Sequence, residues 1–211
     1  YPGTLPEGLK LLDLGKNYNT AFLPQALPHS LKGLYMSSIF FENIAPSVLP
    51  EGLKMINFRY YYHPFYPEVL PSSLEKLYLL EYHEDFIENG LPAGLKELVV
   101  NNFGGSLVPG SLPAGLKKLF LGVIFNEQFT ESILPAGLEE LTLGHDYNQP
   151  IQAGVLPAGL ALLILGEEFD HAFEPGVLPE SLIRLYIGNA DYSYEFTSEN
   201  LPPNTAVIIG N

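Results

Sequence analysis

The chain has 211 residues, of which 46% are apolar and only 16% charged, with no cysteine and a formal net charge of −14 at pH 7. Absence of cysteine rules out disulfides, thiolate chemistry and Cys-type zinc sites, and so strong an acidity argues against nucleic acid or an anionic membrane surface as a partner, because phosphates need clustered Lys and Arg. No apolar run approaches the roughly eighteen residues of a membrane-spanning helix.

Leu-Pro dipeptides recur along the whole chain. They open repeats at Leu5, Leu27, Leu49, Leu70, Leu91, Leu112, Leu134, Leu156, Leu178 and Leu201, at intervals of 22, 22, 21, 21, 21, 22, 22, 22 and 23 residues. A fixed period of this size is the signature of a solenoid. The expected fold is a mainly β, leucine-rich-repeat-like coil of about ten repeats of 21–23 residues, forming a single repeat domain over residues 1–211. One parallel sheet should line its concave face, with extended or 3₁₀ turns on the convex side.

In chain order, Tyr1-Pro2-Gly3-Thr4 reads as the tail of a preceding repeat. Repeats one and two then set the pattern. With the repeat Leu as position 1, a Leu stands at position 5 (Leu9, Leu31) and apolar residues stand at positions 8 and 10 (Leu12 and Leu14, Leu34 and Met36). Variable residues between them give the period of two that marks a short strand, and a proline in every repeat forbids a continuous helix. Further along, position 14 reads Tyr18, Phe40, Tyr62, Phe125, Tyr147 and Phe169. Position 18 reads Phe22, Ile44, Tyr66, Ile87, Val108, Phe129, Ile151 and Phe173. One coil cannot enclose these columns, so stacked coils are expected to bury them as ladders. Pro2, Pro24, Pro46, Pro67, Pro109 and Pro175 sit three residues before the next repeat Leu and predict a stiff back wall without ladder pairing.

Repeats three to five depart from the pattern after the strand. They read Arg59-Tyr60-Tyr61-Tyr62-His63, Leu80-Glu81-Tyr82-His83-Glu84 and Asn101-Asn102-Phe103-Gly104-Gly105 where the pattern expects Gly, an aromatic and Asn. Repeats six to eight return to it, and the last, truncated repeat, 201–211, stops after the strand Val207-Ile208-Ile209. Neither end carries an evident cap, so head-to-tail self-association through the ends is one expectation.

The segment Leu134-Pro-Ala-Gly-Leu-Glu-Glu-Leu-Thr-Leu-Gly-His-Asp-Tyr-Asn-Gln-Pro-Ile151 resembles the FNIP repeat, a leucine-rich-repeat-like family, and Tyr18-Asn19, Phe125-Asn126 and Phe169-Asp170 continue the likeness. The resemblance implies an interaction module and brings no shared catalytic residues. Its Asn column is expected to satisfy backbone groups where the strand turns away.

Three surfaces follow from this register. Position 9, on the concave face, reads Asp13, Tyr35, Asn57, Tyr78, Val99, Phe120, Thr142, Ile164 and Tyr186. Six of these nine are apolar or aromatic on a face the fold leaves open, which marks an interface. The candidate partner-binding patch is Tyr35, Arg59, Tyr60, Tyr61, Tyr78, Tyr82, Val99, Phe103, Phe120 and Tyr186. Lysines at positions 6 and 7 alternate with Glu75, Glu97 and Glu140 in neighbouring repeats, as cross-strand pairs do. From Glu127 onward thirteen carboxylates face a single base, Arg184. Stacking there sets Asp146 beside Glu168 and Glu167 beside His145, with Asp170 close by. A hard cation would relieve that repulsion, but the spacing matches no metal loop and solvated loop tips are the ordinary explanation, so no metal or cofactor is expected. The five His fall at five different positions with no nucleophile beside them, so no enzyme is expected. The reading is a protein-recognition module, with an end-to-end structural subunit as alternative and a glycan-binding Tyr surface as a more distant one.

Overall fold

The computed structural model describes residues 3–210, and Tyr1, Pro2 and Asn211 lie outside the described residues. The chain winds into an all-β parallel solenoid. Its ten strands are β1 (Leu11–Asp13), β2 (Gly33–Tyr35), β3 (Met55–Tyr60), β4 (Lys76–Tyr82), β5 (Glu97–Phe103), β6 (Lys118–Leu121), β7 (Glu140–Leu143), β8 (Leu162–Leu165), β9 (Arg184–Ile187) and β10 (Ala206–Ile209). They form one sheet in sequence order, every pair parallel and each residue facing its equivalent in the next repeat. Among the described residues no helix is long and apolar enough to cross a membrane.

Each coil repeats the same local chemistry. The Leu-Pro pair opens a turn in which the Pro carbonyl accepts the N–H of the position-5 Leu, as from Leu31 to Pro28 at 3.1 Å and from Leu116 to Pro113 at 3.0 Å. That Leu is then driven into the core, where Leu31, Leu53, Leu74 and Leu95 are fully buried. Positions 8 and 10 bury the inner face of the strand, and position 9 stays on the open face. On the opposite wall the proline column occupies the second corner of isolated i→i+3 turns: Ala26 donates to Leu23 around Pro24-Gln25, and Val177 donates to Glu174 around Pro175-Gly176. The third corner has positive φ, as in a type II turn, in Gln25, Ser47, Glu68, Asn89, Gly110, Ser132, Gly154 and Gly176. Proline suits the second corner because its ring presets φ there.

Repeat length varies at one place only. The core aromatics Phe40, Tyr61, Tyr82, Phe103, Phe125, Tyr147, Phe169 and Tyr192 all lie nine residues before the next repeat Leu. Counting forward from the preceding Leu is therefore wrong in repeats three to five. These have 21 residues and lack one between strand and aromatic. The buried residues there are Tyr61, not Tyr62, then Phe65, Phe86 and Leu107, not Tyr66, Ile87 and Val108. The ninth repeat has one residue more, and Tyr192 and Phe196 take the corresponding places.

The missing residue also lengthens the strands. In repeats one and six to nine the chain leaves the sheet at a glycine, and in repeat two at the buried Ser37; a Cβ on Gly122, Gly144 or Gly166 would overlap the backbone of the preceding coil. Repeats three to five have no such glycine and, unlike repeat two, are also one residue short before the aromatic, and β3, β4 and β5 run on for 6, 7 and 7 residues against 3 or 4 in the others. Where the Asn column survives it does what its position predicts: Asn19 accepts the Phe41 N–H and Asn126 the Asn148 N–H, both at 2.9 Å. In the middle His63 meets the Phe41 carbonyl at 2.8 Å and Asp85 accepts the Ser106 N–H at 2.8 Å instead.

The core aromatics stack coil on coil. Equivalent rings Phe125–Tyr147, Tyr147–Phe169 and Phe169–Tyr192 lie 6.1, 6.3 and 6.3 Å apart. Strands in a sheet lie about 4.8 Å apart. Coils thus splay on the aromatic side, which makes the sheet face concave.

Candidate functional site

The position-9 residues line up as one row across the open face. Tyr35 faces Asn57, Asn57 faces Tyr78, Tyr78 faces Val99, Val99 faces Phe120, and the row continues through Thr142 and Ile164 to Tyr186. Tyr35 is exposed, and Tyr78, Val99, Phe120 and Tyr186 are half-buried by their neighbours along the row. Arg59, exposed on β3 two residues beyond Asn57, belongs to the same face.

Three expected members of the patch are not on any surface. Tyr61 and Tyr82 are 0% exposed and Phe103 is 1% exposed, all within the aromatic core. The lost residue of the 21-residue repeats turns them inward, because a shift of one place moves a side chain to the other face. The same shift turns Tyr62 outward, a residue the sequence reading had placed in the core. Tyr60 stacks on Tyr62 at 6.4 Å, and Tyr62 lies 5.6 Å from Phe41, forming an exposed aromatic edge where β2 and β3 leave the sheet. Phe41 is missed by sequence reasoning because it replaces an Asn; counting back from the next Leu-Pro would have found Tyr62.

Two adjoining depressions lie on the face. One, of ≈ 270 Å³, is lined by Asn57, Arg59, Tyr78, Leu79, Leu80, Val99 and Asn101. The other, of ≈ 410 Å³, runs from Asp13, Gly15 and Lys16 past Tyr35, Met36 and Ser38 to Asn57 and Arg59. Asn57 and Arg59 form the saddle between them.

Along the strand entry the charges are paired as their alternation predicts. Lys54–Glu75, Lys76–Glu97, Lys117–Glu139 and Lys118–Glu140 each close at 2.8 Å. Tyr78 donates its hydroxyl to Glu97 at 2.8 Å. Burial pushes the Glu97 carboxyl up, but its hydrogen bonds from Lys76 and Tyr78 and the Lys76 charge prevail and hold it below the usual range. Burial, then the bond to Glu97, raises the Tyr78 hydroxyl. These exposed pairs are worth fractions of a kcal/mol each, and they leave the strand entry with little free charge.

The late acidic cluster resolves into pairs. His145 Nδ1 meets Asp146 at 2.7 Å, its Nε2 lies 3.4 Å from Glu167, and hydrogen bonding to Asp146 raises its pKa. Glu168 and Asp170 are exposed, with their backbone N–H groups donated to His145 and Asn148. Among the described residues no group of three or more His, Asp or Glu is disposed to hold a metal.

The FNIP Repeat family model matches residues 1–38, 42–81, 125–168 and 169–209. The chain belongs to the FNIP repeat family. The longest unmatched stretch, 82–124, runs from the end of β4 through β5 and β6. Among solved structures, CroV588, described as a novel circular LRR protein structure, superposes with a TM-score of 0.93 at 33% identity, over 99% of this chain and 31% of its own. YopM from Yersinia enterocolitica WA-314 gives a TM-score of 0.49 at 20% identity, over 99% of this chain and 56% of its own. The FNIP chain thus spans about a third of CroV588 and just over half of YopM. No curated protein matches it.

Proposed function

We propose that this FNIP-repeat solenoid is a non-enzymatic recognition module that holds a protein partner on the concave face of its sheet. Repeat solenoids present extended concave surfaces that commonly serve such contacts. The observation that carries the reading is the continuous row Tyr35–Asn57–Tyr78–Val99–Phe120, apolar or aromatic at four of five places on a face with no other coil to cover it. Half-exposed aromatic rings held rigidly on strands supply contact area with little entropy left to lose. The test is capture of a partner by the chain and by a variant carrying Tyr35→Ser, Tyr78→Ser and Phe120→Ser. The variant should keep the parallel-sheet circular dichroism and lose the partner; capture undiminished in a folded variant refutes the reading.

The superposition on CroV588 favours a second reading, in which the chain is an arc of a ring. If the whole CroV588 chain makes one turn and this chain shares its curvature, the 31% covered is an arc of about 112°, or about 12° per coil. About three such arcs, in copies or in one longer chain, then close a ring with the sheet inward. Light scattering and negative-stain imaging of the 211-residue chain test closure from separate copies, and a monodisperse monomer at high concentration removes that form of the ring.

A further inference from the structure

From the donor groups around Arg59 we infer that the saddle of the concave face takes a carboxylate: an Asp or Glu side chain on an extended segment of the protein partner. The inference rests on the concave-face reading and assigns its chemistry. Most bases of the chain are engaged, with Lys54, Lys76, Lys96, Lys117 and Lys118 on carboxylates and Lys32 on the Gly52 carbonyl. Among the described residues nothing engages the Arg59 guanidinium, the Lys16 ammonium or the side-chain amides of Asn57 and Asn101. All four line the two depressions.

Acceptors are scarce there. Asp13, the one acid lining either depression, already accepts the Gly15 N–H at 2.8 Å. Glu81, the acid on β4 facing Tyr60, accepts the Asn102 amide at 2.7 Å and lies 3.5 Å from His83. Two cations without a paired acid, in a chain whose net charge is −14, select an acceptor that carries charge, to which the Asn57 and Asn101 amides can add N–H donors. A guanidinium presents its N–H groups as a planar fork that fits a carboxylate at two points. Tyr35 and Tyr78 stand on either side of Asn57 and offer ring faces to the residues flanking that carboxylate.

The geometry also sets the length of the segment. From β1 to β5 the depressions cross four strand spacings, about 19 Å, which an extended chain covers in about six residues. The acidity of the rest of the protein disfavours a polyacidic segment, so one or two carboxylates among apolar residues fit better than a run.

The probe is a capped six-residue peptide of Ala and Leu with two central Glu, titrated into ¹⁵N-labelled protein beside its Gln counterpart. The Arg59 Nε–H and the Asn57 and Asn101 side-chain amides should shift with the Glu peptide, and the Gln peptide should bind about tenfold more weakly. Arg59→Gln should abolish that difference, and Arg59→Lys should restore only part of it, because an ammonium lacks the fork. Equal binding of the two peptides, or no shift at these groups, overturns the assignment. The two readings fail separately. Arg59→Gln that captures the partner as well as the parent chain removes the carboxylate alone, whereas undiminished capture by the aromatic triple variant removes the face itself.

Discussion

Tyr→Phe at two rungs of the same aromatic column should change stability in opposite directions. Tyr147 sits between Phe125 and Phe169, its ring nearly parallel to both at 3° and 6°. Its hydroxyl is buried and has no hydrogen-bond partner, and burial alone pushes its pKa well above the usual tyrosine value. An unpartnered buried hydroxyl costs about 1–3 kcal/mol in desolvation, and filling its place with nothing costs only about 0.3 kcal/mol for a void the size of one oxygen. Tyr147→Phe should therefore stabilise by about 1 kcal/mol. At Tyr192 the hydroxyl donates to the His171 carbonyl at 3.0 Å. Removing that bond should destabilise by about 1 kcal/mol.

Urea unfolding followed by circular dichroism measures both, with an unchanged m-value required for the comparison. The melting temperatures should separate by about 4–8 °C, since 1 kcal/mol is worth about 2–4 °C in a domain of this size. Because Tyr192 lies in the ninth coil, amide exchange in β9 and β10 checks whether its loss is a local opening rather than a global one. If Tyr147→Phe destabilises by more than about 1 kcal/mol, its hydroxyl has a partner such as a buried water, and the accounting of this core is wrong.

Three more outcomes follow from the same coil. Gly144→Ala should destabilise by about 3 kcal/mol or fail to fold, since its Cβ would drive into the Gly122 backbone, whereas Gly159, whose Cβ would have ordinary room, should accept Ala within about 1 kcal/mol; paired denaturation curves check this. Glu68→Gly and Ser132→Gly should each stabilise by up to about 1 kcal/mol by relieving a φ of 69° at a turn corner where Gly154 and Gly176 already stand, and unchanged midpoints would count against strain there. Burial raises Tyr61 to about 12 and Tyr192 to about 12, so the stability they carry is complete below pH 10 and is lost as pH rises from 10 through 12; tyrosinate absorbance should climb together with loss of the sheet signal, and titration at pH 10 with the sheet intact would contradict the burial.

Much of the fold was legible because each repeat carries two independent clocks. Leu5, Leu27 and their successors time the strand, since position 5, the Pro turn and positions 8 and 10 follow at fixed distance. The next Leu-Pro times the aromatics, nine residues ahead of it. A reading that runs only on the first clock finds where each strand begins, misses how far β3, β4 and β5 run on, and misplaces the aromatics after the strand wherever the interval is 21. That is why Tyr35, Tyr78 and Phe120 were found on the face, while Tyr61, Tyr82 and Phe103 were assigned to the surface and lie in the core.

What stayed hidden in the candidate site is of a different kind. Side-chain alternation places Arg59 on the same face as Asn57, but whether it is free depends on what its neighbours do. Lys76 and Glu97 pair because they stand at the same rung of adjacent strands. Arg59 has no acid at its rung: the β4 residue between the Leu79 and Glu81 partners is Leu80, which leaves the guanidinium unanswered within the sheet. On the lengthened β3 and β5, Arg59 and Asn101 stand at the place where repeats one and six to nine carry the glycine at which they leave the sheet. The departure from the repeat that obscured the core thus also builds the part of the face where Arg59 stands without a paired acid, and it is there that a partner's carboxylate has somewhere to go.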